Sequence, residues 1–249
     1  MGREPVPTCL LSWIGISDMR DPSTPDGSFV FAFAHDLRSH LRTSLTRVQL
    51  VKLELAKEDS TDAGDQKLQW LLEAESATKT GAQLLDAMVA FCDVRPSAET
   101  ITLSLLVRGV LLELKKPLED ALVSVSAMPV VRVPFALQAV LREVICNSMK
   151  FHDSSRPLEI RIESDVSPNG GIRIVVTDNG LGIDPDMTEK IFLPFGRVHD
   201  RTRYPGFGLG LAHCRKVVEM HGGRIVVAAS DPVGLCVEIS FPDDSRFGA

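Results

Sequence analysis

Long hydrophobic runs, paired cysteines and an excess of basic charge are all missing from this 249-residue sequence. The longest apolar stretch near the start, around Cys9 to Ile16, is broken by Ser12 and is far too short to cross a bilayer. No membrane span is expected, and the expected location is cytoplasmic. The five cysteines (Cys9, Cys92, Cys146, Cys214, Cys236) are scattered, odd in number and never paired at metal-ligand spacing. That argues against a cysteine-based metal site and fits a reducing compartment. With 33 acidic against 27 basic residues the formal net charge is −6, so no broad positive field exists to collect nucleic acid by counterion release. Nucleic acid is therefore not expected as a partner.

What is present suffices for a real core: 44% of residues are apolar and 24% charged, as in ordinary globular proteins. The length accommodates one large or two modest domains, and two are expected. Residues 1–28 end in the Pro-, Asp-, Gly- and Ser-rich stretch Asp21 to Ser28 and read as a flexible lead-in. From Phe29 to about Glu58 apolar residues recur every three or four positions (Val30, Ala34, Leu37, Leu41, Leu45, Val48, Val51, Leu55), which predicts one long amphipathic helix. A polar stretch, Asp59 to Asp65, separates it from a second such helix running through Leu68, Leu72, Leu84, Leu85 and Met88 to Val94. Residues 29–95 thus predict an αα-hairpin that buries its apolar stripe on one side only. Pairing with a second copy in a two-fold, four-helix bundle would complete the burial.

After Arg95-Pro96 the period changes. Leu105 to about Lys116, Phe135 to Phe151 and Leu211 to His221 read as helices, and Leu158 to Glu163, Ile172 to Thr177, Arg224 to Ala229 and Leu235 to Phe241 as strands. Residues 96–249 therefore predict an α/β sandwich with helices over one face of a mixed sheet, and the whole chain an α+β protein.

Four segments of this second half carry candidate chemistry. In Glu143-Val144-Ile145-Cys146-Asn147-Ser148-Met149-Lys150-Phe151, the residues Glu143, Asn147 and Lys150 stand at i, i+4 and i+7 and share one helix face. An amide oxygen there can bind Mg²⁺ while the ammonium meets a phosphate; a solvated polar face has the same pattern. Asp178-Asn179-Gly180-Leu181-Gly182-Ile183 follows a predicted strand and is equally a turn sequence. Ile191-Phe192-Leu193-Pro194-Phe195-Gly196-Arg197 brings aromatics that suit packing. Gly206-Phe207-Gly208-Leu209-Gly210-Leu211-Ala212 opens a helix, where backbone N–H groups can cradle polyphosphate.

In order and spacing these segments resemble the N, G1, F and G2 boxes of the GHKL ATPase superfamily, with residues 184–205 where that family has its ATP lid. Upstream, Phe33-Ala34-His35-Asp36-Leu37-Arg38-Ser39-His40-Leu41-Arg42 resembles the H box of histidine kinases. Helical geometry sets His35 about 200° from Leu37, on the polar face with Arg38, Ser39 and Arg42. The resemblance covers roughly residues 29–243, and its motifs are like those of the phytochrome-like branch, including Phe195-Gly196-Arg197-Val198-His199 and Tyr204-Pro205-Gly206.

The resemblance implies a histidine protein kinase of a two-component system, using ATP and Mg²⁺. His35 would be the phosphoacceptor and Asp36 would hold its imidazole in the reactive tautomer. Glu143 and Asn147 would hold Mg²⁺, Glu143 with a catalytic role as well, and Lys150 would hold a phosphate. Asp178 would accept the adenine amine beside Gly180 and Gly182, and Gly206, Gly208, Leu209 and Gly210 would cradle the polyphosphate. Implied partners are a response-regulator receiver domain, a second copy through the hairpin, and a separate sensor protein. Two other readings stay open: a GHKL ATPase in which Glu143 activates water, and a nucleotide-binding dimerisation scaffold without turnover. The sequence departs from the family pattern at His40, where Pro is usual, at Ser39 for Thr or Asn, at Phe207 for a small residue, and at Glu143 for Asn. His40 keeps the backbone N–H that Pro would remove, so the first helix should run straight past His35.

Overall fold

The structure is a computed structural model that describes residues 25–55, 63–92, 94, 97–168, 170–200, 203–228 and 234–242. The chain divides into two compact units, Met1–Val89 and Ala90–Ala249.

The first unit is an antiparallel-type helical pair in sequence terms, α1 (Pro25–Leu55) and α2 (Ala63–Cys92). Helix α1 begins earlier than expected: Pro25 to Ser28, read from sequence as part of the flexible lead-in, form its first turn. Proline at the head of a helix loses no needed N–H and has its φ already set, so the turn-rich composition there marks a helix start. The rest of the lead-in, 1–24, and the connection at 56–62 lie outside the described residues. Helix α1 continues unbroken through His40. Between the helices, Val51, Ala74, Ala77, Leu84 and Met88 are buried. The Ser44 hydroxyl lies 3.0 Å from the Ala74 carbonyl and 2.9 Å from Thr78 Oγ1, and Arg47 pairs with Glu73. A second set of apolar side chains, Leu41, Leu45, Leu68, Leu72, Leu85 and Val89, stays exposed.

The second unit has a two-stranded antiparallel ribbon, β1 (Thr100–Thr102) with β3 (Arg132–Pro134), and a five-stranded sheet. The sheet joins β2 (Leu122–Val125), β4 (Glu159–Val166), β5 (Ile172–Asp178), β7 (Cys236–Phe241) and β6 (Arg224–Ala228) in that spatial order. The β2–β4 pair is parallel and the other pairs are antiparallel. Three helices complete it: α3 (Leu103–Glu113), α4 (Leu137–Lys150) and α5 (Gly210–Met220). Each helix buries a 3.6-period stripe. On α3 the stripe is Leu103, Leu106, Val107 and Val110, and on α4 it is Leu137, Val140, Leu141, Val144 and Ile145.

The sheet answers with a two-residue alternation. Ile160 and Ile162 are buried while Glu159, Arg161 and Glu163 are exposed. Register lines up Ile162 with Val176, Val176 with Val237, Ile174 with Ile239, and Ile239 with Ile225, so one apolar face runs across four strands. That face and the three helix stripes form a single core cluster. A larger, more continuous core than the hairpin's results, and it fixes where the ends of β5 and α4 meet.

Candidate functional site

Asp178 closes β5 on the register of Ile174 and Val176, so the alternation that buries those two turns its carboxylate toward the helix layer. It is 9% exposed. A buried carboxylate needs donors, and three are in place. Oδ1 accepts the N–H groups of Gly180 at 2.8 Å and Leu235 at 3.1 Å, and Oδ2 accepts the Ser148 hydroxyl at 2.8 Å. The backbone N–H of Asp178 donates in turn to the Leu235 carbonyl at 2.9 Å.

The turn beyond Asp178 is laced to the segment that follows α4. Leu181 N–H donates to the Phe151 carbonyl at 3.0 Å, and the Arg156 guanidinium to that of Gly180 at 3.2 Å. The Asn179 side chain accepts from Glu159 N–H and donates to the Pro157 carbonyl, both at 2.9 Å. Position 180 must be glycine on space alone, because a Cβ there would sit 2.7 Å from the Phe151 carbonyl oxygen. Gly182, at φ 68°, lies against Gly234.

On α4, the stripe that buries Val144 and Ile145 leaves Glu143, Asn147 and Lys150 on a half-exposed face. Glu143 Oε1 lies 3.5 Å from Asn147 Nδ2, and the same carboxylate lies close against Gly210, where α5 starts. Lys150 Nζ stands against Gly206, 2.8 Å from where a Cβ would be, and 4.9 Å from the Phe151 ring centre. Burial first, and then the nearby Arg197 guanidinium, hold the Lys150 ammonium below the usual lysine range, with Glu143 acting the other way. Lys150 at the last turn of α4 also suits the negative end of the helix dipole.

The glycine loop is shaped by its neighbours. Gly208 adopts φ 72° and would clash with the Gly196 carbonyl at 2.8 Å if it carried a Cβ. Arg197 donates to the carbonyls of Gly206 and Tyr204, the latter at 2.8 Å, which ties the end of the Phe195 segment to the loop. Phe195 itself takes φ 61°, a left-handed conformation that a bulky residue holds only when its surroundings impose it. Leu209, 5% exposed, faces inward and can serve a ligand only through its backbone. It stands at the N-cap of α5 without a side-chain cap, leaving the first-turn N–H groups for another acceptor. The segment at 184–205, expected as a lid, contains two short 3₁₀ turns, Pro185–Met187 and Lys190–Phe192. Phe192 is 2% exposed under the Arg215 guanidinium, a packing position.

The structure thus brings Glu143 and Lys150 of α4 to the glycines at 210 and 206, with Asn147 beside Glu143, and sets Asp178 with Gly180 against Ser148 and Phe151 at the C-terminal end of the same helix. His35 and Asp36 belong to the first unit, on α1; their side chains lie outside the described residues. Sequence reasoning missed Ser148, Arg197, Asn179 and Leu235. For Ser148 a signal existed: it extends the buried stripe Leu141, Val144, Ile145, and a polar residue at an apolar register position needs a partner.

Residues 133–245 match the family described as Histidine kinase-, DNA gyrase B-, and HSP90-like ATPase. The chain is 30% identical over 220 residues to the phytochrome-like protein Cph1 of a Synechocystis strain, an alignment that covers 86% of this chain and 29% of that protein. The mycobacterial sensor histidine kinase MprB superposes with TM-score 0.51 at 26% identity, over 58% of this chain and 96% of that one. The histidine kinase ThkA, solved in complex with the response regulator protein TrrA, shares the fold over 97% of this chain and 68% of that one, with TM-score 0.62 and 18% identity. Fold, site and relatives together place a histidine kinase-, DNA gyrase B-, and HSP90-like ATPase domain in the second unit, and across 86% of its length the chain is similar to the catalytic core of sensor histidine kinases. The chain spans under a third of the length of its phytochrome-like relatives, 29% and 28%. No helix among the described residues is long and apolar enough to cross a membrane.

Proposed function

We propose that this chain is the kinase core of a two-component system: it transfers the γ-phosphoryl group of ATP to His35 and then to an aspartate of a response-regulator receiver domain. The observation that carries the reading is the buried Asp178 carboxylate, held by three donors beside a glycine turn. The same helix, α4, presents a carboxylate, an amide and an ammonium to a second glycine loop. An acceptor at the first glycine turn and donors at the second glycine loop suit a nucleotide whose base carries an amine and whose tail is anionic.

Asp178 accepts the exocyclic amine of adenine. Lys150 and the backbone N–H groups of 206–210 neutralise the polyphosphate. Glu143 and Asn147 fit a divalent cation, since Mg²⁺ is usually held by one or two side chains together with substrate phosphates. Among the described residues there is no cluster of three or more acidic, histidine or cysteine ligands, so no all-protein cage competes with that arrangement. When bound, Mg²⁺ neutralises charge developing on the phosphate oxygens. A ring nitrogen of His35 forms the new bond to phosphorus as the bond to the ADP oxygen breaks. Asp36 holds the ring tautomer that exposes that nitrogen. The exposed leucines of the hairpin support pairing with a second copy in a four-helix bundle. The complex recorded for ThkA supports a receiver-domain partner.

Incubation with γ-labelled ATP and Mg²⁺ tests the reading. Label on the protein that is lost in acid and retained in alkali is the expected result, as for phosphohistidine, and His35→Gln should abolish it while ATP binding persists. Released phosphate without labelled protein would instead identify a hydrolytic ATPase. Neither product would identify a nucleotide-binding scaffold. Equal labelling of the variant would remove His35 as acceptor.

A further inference from the structure

Ser148 stands apart from every group assigned so far. It is 3% exposed, sits on the buried stripe of α4, and belongs to neither the cation-binding nor the phosphate-binding face. Its hydroxyl has one proton and two acceptors within reach: the Val144 carbonyl at 3.3 Å, one turn back on its own helix, and Asp178 Oδ2 at 2.8 Å. The carboxylate is the nearer and the charged one, so the proton goes there. A carboxylate offers about four lone-pair sites. On Asp178 two of them, on Oδ1, are taken by the N–H groups of Gly180 and Leu235, and one on Oδ2 is taken by Ser148. The single remaining direction, on Oδ2, is the one that Ser148 leaves open.

We infer that Ser148 is a specificity-determining positioning residue: it orients the free lone pair of Asp178 Oδ2 so that the site selects a base bearing an amine over one bearing a carbonyl at the same place. The inference rests on the reading of Asp178 as the base acceptor, and deepens it. Ser148 touches no part of the nucleotide; it acts through the carboxylate. Without its hydroxyl, Oδ2 is anchored from one side only, through the bonds to Oδ1. The carboxyl plane can then rotate about its last bond, and the amine loses its aligned acceptor. An inosine base, which presents a carbonyl oxygen at the amine position, gains nothing from the alignment, so its binding is insensitive to position 148.

Calorimetric titration of the full chain with ATP and with inosine triphosphate, both with Mg²⁺, reads this directly. Wild type should bind ATP at least about tenfold more tightly than inosine triphosphate, as a charge-assisted hydrogen bond set against a repelled carbonyl requires. Ser148→Ala should weaken ATP about fivefold and leave inosine triphosphate within about twofold, so that the preference shrinks. Ser148→Cys, which keeps a weak donor, should fall between the two, and guards against a variant that merely packs badly. Equal weakening of both nucleotides, or an unchanged preference in Ser148→Ala, would overturn the role of Ser148 while leaving Asp178 in place. A wild type without any preference would overturn both.

Discussion

The two units handle apolar surface in opposite ways. In the second unit the register of four strands and three helix stripes converges on one cluster, and side chains such as Ile162, Ile174, Ile239, Leu103 and Val110 are wholly buried. In the hairpin, Leu41 is 54% exposed, Leu45 60% and Leu72 52%, although each sits at a core-type period. The second unit is complete as a folding core and can host a site whose geometry depends on small distances. The hairpin is complete only on the face between its own helices. A helix pair has too few faces to bury two stripes alone, so the remaining stripe is available for association.

Breaking the hairpin's outer stripe gives the sharpest test of that contrast. Leu41→Glu combined with Leu45→Glu places four carboxylates on the seam of a symmetric pair. Lost burial alone, at roughly 0.7 kcal/mol for each half-exposed leucine, predicts dimer dissociation constants raised about a hundredfold or more. Light scattering after size exclusion should show wild-type dimers and variant monomers. ATP affinity should stay within about twofold, because the nucleotide groups all belong to the other unit. A monomeric wild type would remove the bundle, and a variant that loses ATP binding would show that the units are not separable.

The converse change targets the second unit. Asp178→Asn keeps the shape but replaces one acceptor oxygen by a donor. Two backbone N–H groups and the Ser148 hydroxyl then compete for what remains. ATP binding should weaken about tenfold or more, while the dimer persists. Unchanged affinity in calorimetry would take Asp178 out of the site.

How much of this was legible in the sequence follows the same division. Helices α1, α2 and α4 and strands β4, β5 and β7 came from period alone, because each carries several apolar residues at one spacing. Strands β1 and β3, three residues each, and β2, four, were not seen: a period cannot be established in so few positions, and β2 exposes Leu122 as well as Val125. The glycine loops were readable because glycine marks both tight approach and left-handed backbone. What was not readable was the set of groups that holds the site in shape. Ser148 lies 30 residues from Asp178, and Leu235 lies 57 away. Arg197 reaches Tyr204 through a loop conformation that no local pattern announces. Such partners depend on the register of β5 against α4 and β7, which is a tertiary quantity.

The finest test of the contrast uses pH, since burial at the site of the second unit shifts the charge of one of its groups. Lys150 is held below the ordinary lysine range by burial first and by Arg197 second, with Glu143 opposing. Between the lowered value and the ordinary one, the unfolded chain holds more protons than the folded chain. The stability of the nucleotide-free protein therefore rises with pH across that window. A bound polyphosphate reverses the balance, because it favours the ammonium. ATP binding should then take up a proton at alkaline pH, and affinity should fall as pH rises through the window, by at most about tenfold per pH unit for one linked proton. Calorimetry in two buffers of different ionisation enthalpy measures that uptake. Lys150→Arg, whose guanidinium stays charged, should abolish the uptake while keeping the phosphate contact. If the variant takes up as many protons as wild type, the linked group is not Lys150, and the placement of its ammonium at the polyphosphate fails with it.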